Sequence, residues 1–182
     1  MKRLNICLIG PWRDYSKEAE AQAIELGRWV AENNHILNTG ACLGIPIVGA
    51  KACKQYGGQT LGYSPANSEE HHIPENGLST EGMDKIMYMN SDKPLNYPER
   101  NIINIRNADI VVMIAGRMGT INEYTTAHDM EKPIGVIEGV GEASNIARAI
   151  EMELYAKTKS EFDTNIPDLM NKLLKVYYEK NN

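Results

Sequence analysis

The sequence predicts an α/β fold, one parallel sheet with helices on both faces, and three observations carry that prediction. Short apolar runs alternate with stretches of helical periodicity along most of the 182 residues. The runs are almost continuously apolar, as strands covered on both faces are. Three of them empty into glycine turns: Gly10-Pro11, Gly40-Ala41-Cys42-Leu43-Gly44 and Gly116-Arg117-Met118-Gly119. In open parallel sheets ligands bind beyond the carboxyl ends of the strands, where these turns fall.

Leu4–Gly10 reads as the first strand, closed by Gly-Pro. Ser16–Asn33 carries Ala19, Ala23, Leu26, Gly27, Val30 and Ala31 at helical spacing, so one face packs. His35–Gly40 is a second strand. Gly44–Tyr56 is a helix whose Gly49, Ala50 and Ala52 allow close approach to a neighbour, and Gly57-Gly58 stop it. Gln59–Ser64 is the third strand. From Pro65 to about residue 96 the rhythm breaks into a polar excursion with one strand-like piece, Lys85–Met89; its length suggests a binding loop. A short helix, Pro98–Asn107, leads to the strand Asp109–Ile114. Then come a helix at Thr120–Met130, a strand at Pro133–Ile137, and helices at Ala143–Tyr155 and Phe162–Tyr178. Residues 1–182 are expected to form one domain.

Composition narrows the function. A net charge of −5 argues against a general nucleic-acid surface. The three cysteines, Cys7, Cys42 and Cys53, lack C-x-x-C spacing and suit reduced thiols. The apolar run after Met1-Lys2-Arg3 is too short for a signal peptide, and nothing approaches the length of a membrane span, so a soluble cytoplasmic protein is expected. His71-His72 find no third ligand at suitable spacing, so no metal is expected; His35 and His128 read as structural.

The third turn is the natural anion site. Gly116 and Gly119 let the backbone approach a ligand, and a helix starting at Thr120 would aim its free N–H groups and positive dipole end into the turn. The second turn, Gly40 and Ala41 to Gly44, repeats the layout. Neither is a Walker or a dinucleotide fingerprint. A nucleotide or sugar phosphate is the expected partner. Glu123 carries two readings: a capping box with Thr120, or a carboxylate facing the ligand. Arg100 stands in the first turn of a helix, where a cation is disfavoured unless an anion compensates; the alternative is a solvated surface arginine. Trp12 either covers a base or packs at the sheet edge.

These residues resemble the "Lonely guy" (LOG) family, also described as lysine decarboxylase-like, near its molybdenum-cofactor-carrier relatives. The family pattern is an arginine-bearing helix, a strand, then P-G-G-x-G-T-x-x-E; here "RNIINIRNADIVVMI" is followed by "AGRMGTINE", with Arg100 and Glu123 at the family spacing. "NTGACLGIPIVGAKACKQYGGQTLGYSP" resembles the first glycine motif. The resemblance implies a Rossmann-like domain, a homodimer and no resident cofactor. It also implies hydrolysis of the N-glycosidic bond of a nucleoside 5′-monophosphate, with Arg100 and Glu123 catalytic. The family's phosphate loop carries over to Ala115, Gly116, Arg117, Met118, Gly119 and Thr120, and the glycine turns at Gly10-Pro11 and at Gly40, Ala41 and Gly44 are expected to help fix the phosphate. The departures are Ala115 for proline, Arg117 for the second glycine, and Asn101 for the lysine beside the family arginine. An Arg-Asn pair resembles the less characterised branch, which leaves a second implication: a nucleotide or molybdopterin-cofactor carrier or sensor without turnover.

Overall fold

A computed structural model describes residues 2–153 and 159–181. The elements run β1 (Asn5–Ile9), α1 (Lys17–Glu32), β2 (Ile36–Thr39), α2 (Ile45–Gln55), β3 (Gln59–Tyr63), β4 (Lys85–Met87), α3 (Tyr97–Arg106), β5 (Ile110–Ile114), α4 (Met118–Asp129), β6 (Ile134–Ile137), α5 (Glu142–Glu153), β7 (Glu161–Asp163) and α6 (Ile166–Asn181), with a single 3₁₀ turn at Pro74–Asn76. The seven strands form one sheet in the order β4-β3-β2-β1-β5-β6-β7, and every pairing is parallel.

Strand alternation sorts the core into two layers. Ile6 and Leu8 of β1, with Ile110, Val112 and Ile114 of β5, pack against α1, α2 and α6. Cys7 and Ile9, with Val111 and Met113, face Ile105 of α3, Tyr124 and Ala127 of α4, and Ala143 and Ala147 of α5. Helices therefore cover both faces, which is why the strands read as unbroken apolar runs. α1 and α2 meet where Gly27 faces Gly49: a Cβ on Gly27 would overlap the Gly49 carbonyl. This contact buries part of the apolar face of each helix within the chain.

The chain builds outward from β1 to β4, then returns to place β5 on the other side of β1. The order reverses between β1 and β5, so a crevice opens beyond their carboxyl ends. The excursion after β3 reaches that crevice. Leu43 N–H donates to the Gly77 carbonyl at 2.9 Å and Ser79 N–H to that of Ala41 at 3.1 Å, and Leu78 packs with Cys42 and Ala66. Within the excursion, Lys85–Met87 joins the sheet as an edge strand on β3.

Two boundaries differ from expectation. Phe162 lies in a strand, not a helix: β7 pairs with β6, Phe162 opposite Val136, and the Arg148 guanidinium lies over its ring at 4.2 Å. Helix α6 starts only after Asn165, whose side-chain oxygen accepts the Asp168 N–H at 3.0 Å. The expected end of the preceding helix, at Tyr155, lies outside the described residues. The histidines expected to be structural are hydrogen-bonded: His35 Nδ1 accepts from Leu4 N–H at 3.2 Å, and His128 lies 3.2 Å from the Ser160 hydroxyl and 3.1 Å from the Glu151 carboxylate. No helix among the described residues is long and apolar enough to cross a membrane.

Candidate functional site

A cavity of about 630 Å³ occupies the crevice between the ends of β1 and β5. Of the residues singled out in the sequence, Gly10, Pro11, Trp12, Gly40, Arg100, Asn101, Arg117, Met118, Gly119, Thr120 and Glu123 line it; Ala41, Gly44 and Gly116 stand behind, shaping the backbone.

The wall formed by α4 differs from expectation in one respect. The helix starts at Met118, with Arg117 as an extended N-cap whose side chain makes no capping bond. Thr120 is therefore inside the first turn and Glu123 in the second, out of reach of the N-cap N–H, and there is no capping box. The early start follows from the backbone: Ala115 at φ +55° and Gly116 at φ +150° reverse the chain so sharply that helix begins two residues later. Thr120 packs over Gly116 instead, 2.8 Å from where a Cβ would stand. Among the described residues nothing bonds to the N–H groups of Met118, Gly119 and Thr120. Three orphan donors and a positive dipole end thus open on the cavity.

Arg100 is no surface arginine. Asn96 caps α3 by accepting the Glu99 N–H at 3.2 Å, and one turn on Arg100 is 7% exposed. Its guanidinium lies across Gly40, where any Cβ would overlap it. Nη1 stands 3.8 Å from Glu123 Oε1, and Nε is buried without a partner. Glu123 is equally buried and accepts from Asn104 Nδ2 at 3.3 Å. Burial raises its pKa above the ordinary glutamate value, while Arg100 and the Asn104 amide pull the other way. Burial also raises the Cys7 thiol well above its usual value, with the Glu123 charge adding to it, and raises Cys42 against the pull of Arg100.

The departures from the LOG pattern have structural counterparts. The positive φ of Ala115 is closed to proline, whose ring holds φ near −65°. Arg117 turns to the rim and bonds Asp14 at 2.8 Å, joining the loop after β1 to the loop after β5. Asn101 is buried and donates to Asn122 Oδ1 at 2.9 Å. Trp12 follows β1, a central strand, and so does not sit at the sheet edge; its ring lies close to Gly77 with the Arg13 guanidinium 4.5 Å from the ring centre, and it is 44% exposed and borders the cavity.

Sequence reasoning missed Cys42, Pro46, Asn76, Gly77 and Tyr97 of the lining. Tyr97 closes the wall by donating its hydroxyl to the Asn76 carbonyl at 2.7 Å. It also missed Asn104, although one helical turn beyond Arg100 is a visible signal for a shared face.

Fold and cavity together define a Rossmann-like protein with a cavity at the switch point of a parallel sheet. More particularly, the chain belongs to the SLOG cluster4 family, whose model matches residues 3–169. Among solved structures it is similar to TM1055 (19% identity, TM-score 0.79, covering 94% of this chain and 99% of that one). It is also similar to the molybdenum cofactor binding protein of the phototrophic bacterium Rippkaea orientalis (21%, 0.75, 97% and 98%). A third likeness is to DNA processing protein A of Helicobacter pylori, described for its single-stranded DNA binding mode (19%, 0.68, 96% and 81%). At these identities the likeness establishes the fold. A comparison with curated proteins returned no match.

Proposed function

We propose that the cavity binds a nucleoside 5′-monophosphate and hydrolyses its N-glycosidic bond to free base and ribose 5-phosphate. The observation that carries this reading is the buried Arg100–Glu123 pair beside three unclaimed helix N–H groups in one cavity. The N–H groups of Met118, Gly119 and Thr120 would take the phosphate, as helix N-termini do. Cleavage sends the glycosidic electron pair to the base nitrogen and leaves an oxocarbenium-like ribosyl carbon. Glu123 would stabilise that charge and take a proton from the water that attacks it; the proton then leaves on the base. Burial raises the Glu123 pKa, and Arg100 opposes that rise by favouring the ionised carboxylate.

The test is incubation with AMP and the other monophosphates, scored for free base. Wild-type protein is expected to release base, and Glu123→Gln, which keeps the shape and loses the charge, to lose at least about 100-fold in rate while still binding nucleotide. Equal rates would remove Glu123 from the chemistry. A second reading rests on Arg117, which is held by Asp14 at the rim where the family has glycine. A carrier that binds a nucleotide or a molybdopterin-type cofactor without turnover would show ligand-induced stabilisation and no base release from any monophosphate.

A further inference from the structure

Glu123 does not stand alone with Arg100. Behind it runs a chain of two buried amides that crosses three elements. Asn38 of β2 donates its Nδ2 to Asn104 Oδ1 of α3 at 3.0 Å, and Asn104 donates its own Nδ2 to Glu123 Oε1 of α4 at 3.3 Å. Asn38 and Asn104 are both essentially inaccessible. An amide can be turned end for end, so such a chain can in principle run either way. Here a backbone group sets its direction. Asn38 Nδ2 also lies 3.5 Å from the Asn104 main-chain carbonyl, which can only accept. This contact and the carboxylate acceptor at the far end both favour the arrangement with nitrogen facing Asn104, so that Asn104 Oδ1 accepts and its nitrogen points at Glu123.

We propose that Asn104 is a positioning residue for Glu123: its amide, held in one orientation by Asn38, donates to Oε1 and leaves Oε2 to the cavity. Both the amide and the guanidinium converge on Oε1, and among the described residues no hydrogen bond goes to Oε2. One carboxylate oxygen is tethered and the other is free to act, which is the geometry a base needs. A permanent donor also favours the ionised carboxylate, opposing burial. The other titratable groups facing this seam are Arg100 from α3, Cys7 from β1 and Cys42 from the loop after β2. Burial keeps both thiols protonated, so no second anion competes for the amide.

This inference rests on the reading of Glu123 as the acting carboxylate, and its test is separable from that reading. The Glu123 side-chain carboxyl is titrated by carbon-13 NMR, alongside the pH profile of base release, in wild type, Asn104→Leu and the double variant Asn38→Leu/Asn104→Leu. The double variant removes both amides together, so neither is stranded if the single variant fails to fold. In either variant the Glu123 midpoint is expected to move to higher pH. The acid limb of base release should move with it, so that the rate at pH 6 falls roughly ten-fold and recovers toward pH 8. A midpoint and an acid limb that coincide with wild type in the double variant overturn the proposal. Should wild type release no base, the hydrolase reading fails, and the NMR titration alone still decides: an upward midpoint retains Asn104 as the positioning residue and an unchanged one overturns it.

Discussion

The glycine turn after β2 and the glycine turn after β5 look alike until their N–H groups are counted. Each carries an alanine in the left-handed region, Ala41 at φ +49° and Ala115 at φ +55°, and each delivers the chain into a helix beside the cavity. After β2, the first N–H of α2, on Ile45, donates to the Pro11 carbonyl at 2.9 Å, and the next residue is Pro46, which has none. After β5, the first three N–H groups of α4 have no partner among the described residues. Gly44 and Gly119, the glycines at the two helix starts, divide the same way. Gly44, at φ +77°, is pressed against the Pro11 carbonyl and the Trp12 backbone, and Gly40 lies under the Arg100 guanidinium. A Cβ on Gly119 would meet nothing within 4 Å. Gly44 and Gly40 let the protein touch itself, as Gly116 does under Thr120, whereas Gly119 leaves room.

Substitutions at the two turns can break or sharpen this contrast. The largest effect is expected at Gly44→Val, which forces a β-branched residue to positive φ and into backbone that cannot yield. Urea unfolding should show a loss of at least about 3 kcal/mol, or no folded protein. A loss below about 1 kcal/mol would mean that the two turns are not different in kind. Gly119 should respond with the opposite sign. Gly119→Ala in the first turn of α4 should raise stability by about 0.5–1 kcal/mol. Phosphate is expected to raise the melting temperature of the wild type, and the bulkier Gly119→Val should fold and yet lose that rise, because its side chain occupies the space before the free N–H groups. An undiminished phosphate effect in that variant would place the anion elsewhere. The smallest effect tests what the turns share: Ala41→Gly and Ala115→Gly should each gain up to about 0.5 kcal/mol, since both relieve the same left-handed backbone. Gains that differ in sign would show that the two alanines are not equivalent.

Much of the fold was legible because its strands are unusually plain. "NICLI", "IVVMI" and "IGVI" are buried on both faces and carry no polar residue except Asn5 at the start of β1. β7 was illegible for the converse reason. It has three residues, two of them acidic, and becomes a strand only because β6 offers an edge and Arg148 a lid for Phe162. The start of α4 was hidden because an alanine gives no sign of a positive φ. Thr120-x-x-Glu123 therefore passed for a cap when the backbone had already turned at Ala115 and Gly116. Arg100 and Glu123 were found through their spacing within a known pattern. Asn104 left a trace, one helical turn beyond Arg100, but Asn38 left none: it lies 66 positions from Asn104, and the two meet only through the packing of β2 against α3. Contacts within a turn or a helix face leave periodic traces in a sequence, whereas contacts across layers leave none.

The seam between β1 and β5 has a consequence for the order in which the molecule comes into being. Asn5 N–H bonds the Asp109 carboxylate, 104 residues away, and the strand pair beside it must close a loop of similar length. At about 5–20 residues per second on the ribosome, β1 waits on the order of 5–20 seconds with one edge unpaired before β5 emerges. The strands and helices on the β2 side can assemble during that interval; the cavity cannot, because its floor is the seam itself and Glu123 arrives later still. Capacity to hold a ligand is therefore acquired late in biogenesis. A small anion present in the cell would then act as a selective stabiliser of chains that have joined their two halves.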